Sequence, residues 1–256
     1  MIIKWNVSVP ELTGAQKRRA YVYLPDSYKY DKKKRYPVLY MFDGHNVFFD
    51  EDATYGKSWG MKEYMDSSGT QLIIAAVECD HSPDNGRLSE YSPFDLEMKG
   101  GEHIEGRGDK TMHWFIHFFK PYIDKHYRTI PDRKHTFIAG SSMGGLMSLY
   151  AVLKYNRTFS RAAALSPSLW TNPKLINELI KNSSPAGGTV IYMDYGSEEM
   201  RGRKTMYKAF GRSANLLLEK KVFLDLRIVP GGEHCEASWQ EQIPFFMNTL
   251  MYGIDS

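Results

Sequence analysis

Cysteine is almost absent from this chain: two of 256 residues, Cys79 and Cys235, far apart. Two distant cysteines give neither a disulfide framework nor a metal-ligand spacing, and allow at most one bridge. An excess of either charge is also missing, with 33 Lys and Arg against 30 Asp and Glu leaving +3. The one basic run, Lys32-Lys33-Lys34-Arg35, sits in a turn before an apolar stretch and reads as solvated loop. That sets nucleic acid aside as a partner. No apolar run approaches the twenty or so residues of a membrane span. The N-terminus, Met1 to Asn6, lacks a basic region followed by an apolar stretch. The expectation is a soluble cytoplasmic protein without a membrane partner, although a secreted chain whose signal had been removed would read the same. Repeats and Pro/Gly/Ser-rich linkers are missing too, so residues 1–256 are expected to form one domain. Oligomeric state leaves no mark in the sequence.

What the chain has is a series of short apolar runs that end in Gly, Pro, Asp or Ser. Ile2–Val9 and Arg18–Leu24 flank a turn. Pro37–Phe42, Gln71–Val77, Thr136–Ala139, Ala162–Leu165, Val190–Met193 and Leu224–Val229 follow. Continuous apolar runs of this length suit strands buried on both faces, as in parallel sheets. Between them, Met112–His126, the stretch after Ser142, Pro173–Lys181, Met206–Lys220 and Ile243–Tyr252 carry helical spacing. Alternation of strand and helix predicts an α/β fold. The sheet should have about eight strands, mostly parallel, with the first two antiparallel and helices on both faces. In such sheets chemistry gathers beyond the carboxyl ends of the strands. The polar stretch Asp80–Lys110 is too long for a simple connection and falls on that rim.

The most telling segment is Gly140-Ser141-Ser142-Met143-Gly144. It lies between an apolar strand and a helical pattern, the context of a G-x-S-x-G nucleophile elbow. Small residues on both sides suit a strained turn that a helix passes closely. Ser142 would stand at its tip, at the positive end of the next helix.

A serine hydroxyl needs a base, and the base needs an acid to orient it. The base expected is His234, in Gly231-Gly232-Glu233-His234 after the last strand. His45, His81 and His103 are alternatives in loops on the same rim. His113 and His117 sit at i, i+4 without a third ligand, and His126 and His135 fall at the wrong end of the sheet. The acid should follow the Val190–Met193 run, where Asp194, Glu198 and Glu199 compete. Glu199 is preferred, then Glu198, then Asp194, because a residue past the Gly196 turn can reach the next loop. An oxyanion hole requires two backbone amides. Met143, after the nucleophile, gives one; the loop Asp43-Gly44-His45 gives the other, from His45 or, failing that, Gly44. Serine, acid and histidine then occur in the α/β-hydrolase order.

The chain resembles the esterase D-like branch of the α/β-hydrolases, with its feruloyl and acetylxylan esterases of carbohydrate esterase family 1, siderophore esterases and mycolyltransferases. The likeness is carried by Arg35–Gly44, Phe119–Asp124 with Tyr127-Arg128-Thr129, Gly140–Gly145 and Gly231–Trp239. It covers nearly the whole chain, with Asp43-Gly44 where the family often has His-Gly. The resemblance implies ester hydrolysis without metal or organic cofactor, and favours Glu199 as the acid. It leaves the substrate open. Acyl or aryl esters of carbohydrates lead, ahead of a siderophore trilactone or an acyl transfer. A non-catalytic binding protein on the same fold is the reading from another class. Trp170–Thr189 is too short for a large lid, so the site should be open, rimmed by Phe48, Phe49, Trp59, Trp170 and the Asp80–Lys110 loop. Asp43, Arg87 and Arg201 are further candidates there, the arginines for an acidic substrate.

Overall fold

A computed structural model describes every residue except 99, 255 and 256. The apolar runs form strands β1 (Ile2–Ser8), β2 (Lys17–Tyr23), β3 (Val38–Met41) and β4 (Ile73–Val77). A small ribbon, β5 (Leu96–Glu97) with β6 (His103–Ile104), comes next. The main sheet resumes with β7 (Thr136–Ser141), β8 (Arg161–Leu165), β9 (Val190–Gly196) and β10 (Phe223–Val229). Its order is β1-β2-β4-β3-β7-β8-β9-β10. β1 and β2 pair antiparallel, β2 joins β4 antiparallel, and every pair from β4 to β10 is parallel. This is the eight-stranded, mostly parallel sheet of an α/β-hydrolase, as expected.

Alternation along the central strands explains why they read as unbroken apolar runs. Val38 and Tyr40 of β3 enter one core, with Phe115, Phe119 and Phe159. Leu39 and Met41 enter the other, with Phe137, Trp59 and Phe246. Successive side chains point to opposite faces, and helices cover both.

Three helices depart from expectation. Met112–His126 is part of a longer helical stretch that begins at Gly108 and opens into a π-turn over Phe115–Phe119. Pro121 just beyond has no N–H to give to a carbonyl one turn back, and a widened turn accommodates that gap. The last helix starts at Glu236 rather than Ile243, with Pro244 inside it. Its first two turns carry Glu236 and Trp239 to the site. Met61–Ser68 is a helix that the periodicity did not reveal. The Asp80–Lys110 stretch is partly regular, holding the short helix Gly86–Glu90 and the β5–β6 ribbon. Between β8 and β9 there is one ten-residue helix, Pro173–Asn182, and no large lid. Among the described residues no helix is long and apolar enough to cross a membrane.

Candidate active site

Ser142 sits between β7 and the helix Met143–Lys154 with φ 57° and ψ −119°. Left-handed backbone at a non-glycine residue costs on the order of 1–3 kcal/mol, and persists only where neighbours hold it. Here the Ser142 amide donates to the Leu165 carbonyl of β8 at 2.9 Å, and the Ser142 carbonyl accepts from Ser168 N at 3.0 Å. A Cβ on Gly140 would lie 2.8 Å from the Gly144 backbone, so strand and helix meet there only because that position is glycine.

The three groups expected from separate loops come together. His234 Nε2 lies 2.9 Å from Ser142 Oγ, and His234 Nδ1 lies 2.6 Å from Glu199 Oε2. Glu199 also accepts from the Ser166 hydroxyl at 2.6 Å and from Gly196 N–H at 3.0 Å. Burial alone would raise its pKa, but the hydrogen bonds from His234 and Ser166 outweigh burial and hold it below the usual carboxylate value. An ionised Glu199 can only accept. Nδ1 therefore carries the imidazole proton, and the Nε2 lone pair faces the serine hydroxyl.

The loops bearing acid and base are joined to each other. Glu198 N donates to Gly232 O at 3.0 Å, and Gly231 N donates to Ser197 Oγ at 2.9 Å. A Cβ on Gly196 would strike the Gly232 carbonyl. Two members of this network were not visible in the sequence. Ser166, at the end of β8, bridges Glu199 and the indole N–H of Trp239, which donates to it at 3.0 Å. The Trp239 ring stands edge-on to His234 at 5.1 Å between centroids. The signals available were the Ser-Pro at the β8 terminus and Trp239 closing the Gly231–Trp239 motif.

The competing acids are placed elsewhere. Glu198 is exposed and pairs with Arg201, itself at the surface and not at a rim. Asp194 is buried, and accepts from Tyr192 OH at 2.8 Å and Ser166 N at 3.0 Å. Burial pushes its pKa up to about 7, against the hydrogen bonds. Because the folded value lies above the unfolded one, its favourable contribution is full below about pH 4 and is lost as pH rises towards 7. Asp194→Asn should therefore gain stability relative to the wild type over that window. Thermal melts at pH 5 and pH 8 check this; a difference that does not change with pH would count against it.

After β3 the chain makes a 3-10 turn, Gly44–Asn46, with Asp43 in the left-handed region at φ 54°. The turn's own hydrogen bonds begin with Asn46 N to Asp43 O, at 2.8 Å, so the Gly44 and His45 amides precede them. Asp43 N donates to Tyr91 OH at 3.1 Å. The Asp43 carboxylate is gripped by Arg87 through Nε and Nη2, both at 2.7 Å. Arg87 lines the cavity, but its guanidinium holds the turn through a bidentate pair. Burial opposes both charges, yet the pairing wins, lowering the Asp43 pKa and raising that of Arg87.

A cavity of about 630 Å³ opens over Ser142 and His234, within the size range of ligand sites. His45, Tyr55, Lys57, His81, Asn85 and Arg87 help to line it. The aromatic rim expected from sequence is corrected. Trp59 is 3% exposed and packs on Trp239 and Phe246. Phe48 is buried among Tyr21, Tyr23 and Phe49, and Phe49 lies under the Lys4 ammonium. Trp170 is 47% exposed and does not line the cavity. Their positions next to strand ends suggested a rim, but Trp59 and Phe48 are large apolar side chains that the core on that face takes up. His103 is exposed beside Glu97, away from the cavity, and His113 and His117 stack at the surface.

Comparison with known proteins bears on the family and the fold. Residues 13–246 match the model of the esterase family described as "Putative esterase". The chain belongs to that family: it is a hydrolase of ester bonds on the α/β-hydrolase fold. Among curated relatives, the uncharacterized protein YbbA of Bacillus subtilis is 27% identical over 93% of this chain and 94% of its own. Among solved structures, a ferulic acid esterase superposes with a TM-score of 0.69 at 20% identity, covering 98% of this chain and 97% of that one. The siderophore hydrolase EstA of Aspergillus nidulans superposes with a TM-score of 0.67 at 18% identity, covering 96% and 94%. At these identities the two structures speak for the fold.

Proposed function

We propose that this protein is a serine carboxylesterase working through Ser142, His234 and Glu199. The observation that carries the reading is the unbroken series Ser142 Oγ, His234 Nε2, His234 Nδ1, Glu199 Oε2, with steps of 2.9 and 2.6 Å across the two hydrogen bonds. His234 takes the serine proton as Oγ attacks the ester carbonyl, then gives it to the departing alcohol. Glu199 fixes the tautomer and offsets the imidazolium charge. The amides of Met143 and of His45, or Gly44 beside it, receive the oxyanion, each donor being worth roughly a hundred- to a thousandfold. Water then attacks the acyl-enzyme with His234 as base.

The substrate class that fits best is an acyl or aryl ester of a carbohydrate. The mouth is open, and Tyr55, Lys57 and Asn85 in its lining are able to meet hydroxyl groups. With Trp59, Phe48 and Trp170 away from the cavity, aromatic stacking contributes less than the sequence suggested. A fluorophosphonate probe should label Ser142, with the modified peptide read by mass spectrometry. Methyl ferulate, acetylated xylooligosaccharide and a catecholate trilactone then form the substrate panel. Preference for the trilactone would replace the carbohydrate ester with a siderophore; hydrolysis of no ester and no labelling would overturn the esterase mechanism.

A further inference from the structure

Beside the turn after β3, the fold assembles three side chains that esterolysis does not use. His45 comes from that turn, and Cys79 and His81 from the segment after β4. Taking one ligand atom from each, they lie within 4.8 Å of one another. Cys79 Sγ is 4.0 Å from His81 Nδ1, and the two imidazoles meet edge to face at 4.6 Å between centroids. In a tetrahedral zinc site, with bonds of about 2.3 Å to sulfur and 2.0 Å to nitrogen, sulfur and nitrogen stand about 3.5 Å apart. Small side-chain rotations therefore close the set.

A second observation points to a ligand. The His45 ring is buried, 4% exposed, and its Nε2 is engaged by Thr54 Oγ1 at 3.0 Å. Its Nδ1 is buried without a hydrogen-bond partner among the described residues. Such an orphan nitrogen is costly unless something meets it. Thr54 supplies what metal-binding histidines characteristically have, a partner on the other ring nitrogen.

We propose that His45 Nδ1, Cys79 Sγ and a ring nitrogen of His81 form a site for a zinc-type divalent transition ion, with its fourth position facing the cavity. Thiolate and imidazole ligands select such ions over magnesium or calcium. A neutral imidazole and a thiolate are the forms that coordinate. As the metal–sulfur bond forms, the Cys79 thiol proton leaves to solvent, one per ion bound. Asp43, Arg87 and Glu90 face the cysteine, and Glu78 faces His45. The Arg87 charge is held against the Asp43 carboxylate.

Cobalt(II) added to the chelator-stripped full chain tests the site. One equivalent should bind with a thiolate-to-cobalt charge-transfer band, and zinc should displace it. His81→Ala, at an exposed position, should weaken binding at least tenfold. Cys79→Ser should abolish the band, and Cys235→Ser should keep it. No band in the wild type, unchanged affinity in His81→Ala, or loss of the band in Cys235→Ser would overturn the proposal. If Cys79→Ser fails to fold, His81→Ala still decides. The readout is spectral, so it stands apart from whether any ester is hydrolysed.

Discussion

Ser142→Ala should lower turnover of p-nitrophenyl acetate by on the order of a millionfold, with little change in thermal stability. The size of the loss follows from the way the triad works. His234 has no function as a base without a hydroxyl 2.9 Å from its Nε2. Removing the serine therefore removes the contribution of all three groups, leaving the residual catalysis of the oxyanion amides, about a thousand- to ten-thousandfold over water. Stability should hold because Ser142 contributes few side-chain contacts. Its Oγ otherwise reaches only Ser168 Oγ, at 3.4 Å, and the strained φ of 57° is kept by backbone bonds to β8 that alanine preserves. Burst kinetics on the wild type and circular dichroism melts on both proteins check the two halves. Equal turnover in variant and wild type would end the case for Ser142.

Glu199→Gln should cost about ten-thousandfold in kcat, while Glu198→Gln should stay within a few-fold of wild type. The two differ by one position and by nearly everything else. Glu199 is buried and accepts three hydrogen bonds, one from the imidazole. Glu198 is exposed and tied to Arg201, an ion pair of small consequence. A glutamine at 199 can turn its amide N–H towards His234 and favour the wrong tautomer, in which Nε2 carries the proton and cannot take another. The variant should fold, since Ser166 and Gly196 can still donate to its carbonyl oxygen. Steady-state rates of the two variants across pH give the answer; inactivity of Glu198→Gln with an active Glu199→Gln would move the acid by one residue.

The sequence carried the fold well because its signals are local. β3 and β4 are apolar on both faces, and such runs read as buried strands without knowledge of their partners. Glu199 was reachable from sequence because Gly196 marks where β9 turns toward the next loop. The misses share a cause. Trp59 and Phe48 follow a strand end and look like rim residues, yet burial depends on a second layer of helix that no local pattern announces. The last helix was expected to begin at Ile243, yet Pro244 lies inside a helix whose earlier turns bring Trp239 against His234. Arg87 looked available to a substrate, because its partner Asp43 is forty-four positions away. Ser166 and the meeting of His45 with Cys79 and His81 are likewise products of tertiary contact.

The fastening of Asp43 by Arg87 and Tyr91, set against the joining of the Gly196 and Gly232 loops, divides the machinery into two halves with Ser142 at the seam. In the proposed mechanism one half handles protons, through Glu199 and His234 with Ser166 behind them. The other half holds the turn that carries Gly44 and His45 beside the cavity, through Asp43, Arg87 and Tyr91. Loosening the Asp43–Arg87 fastening would thus reach the turn after β3 without touching the hydrogen bond between His234 and Glu199.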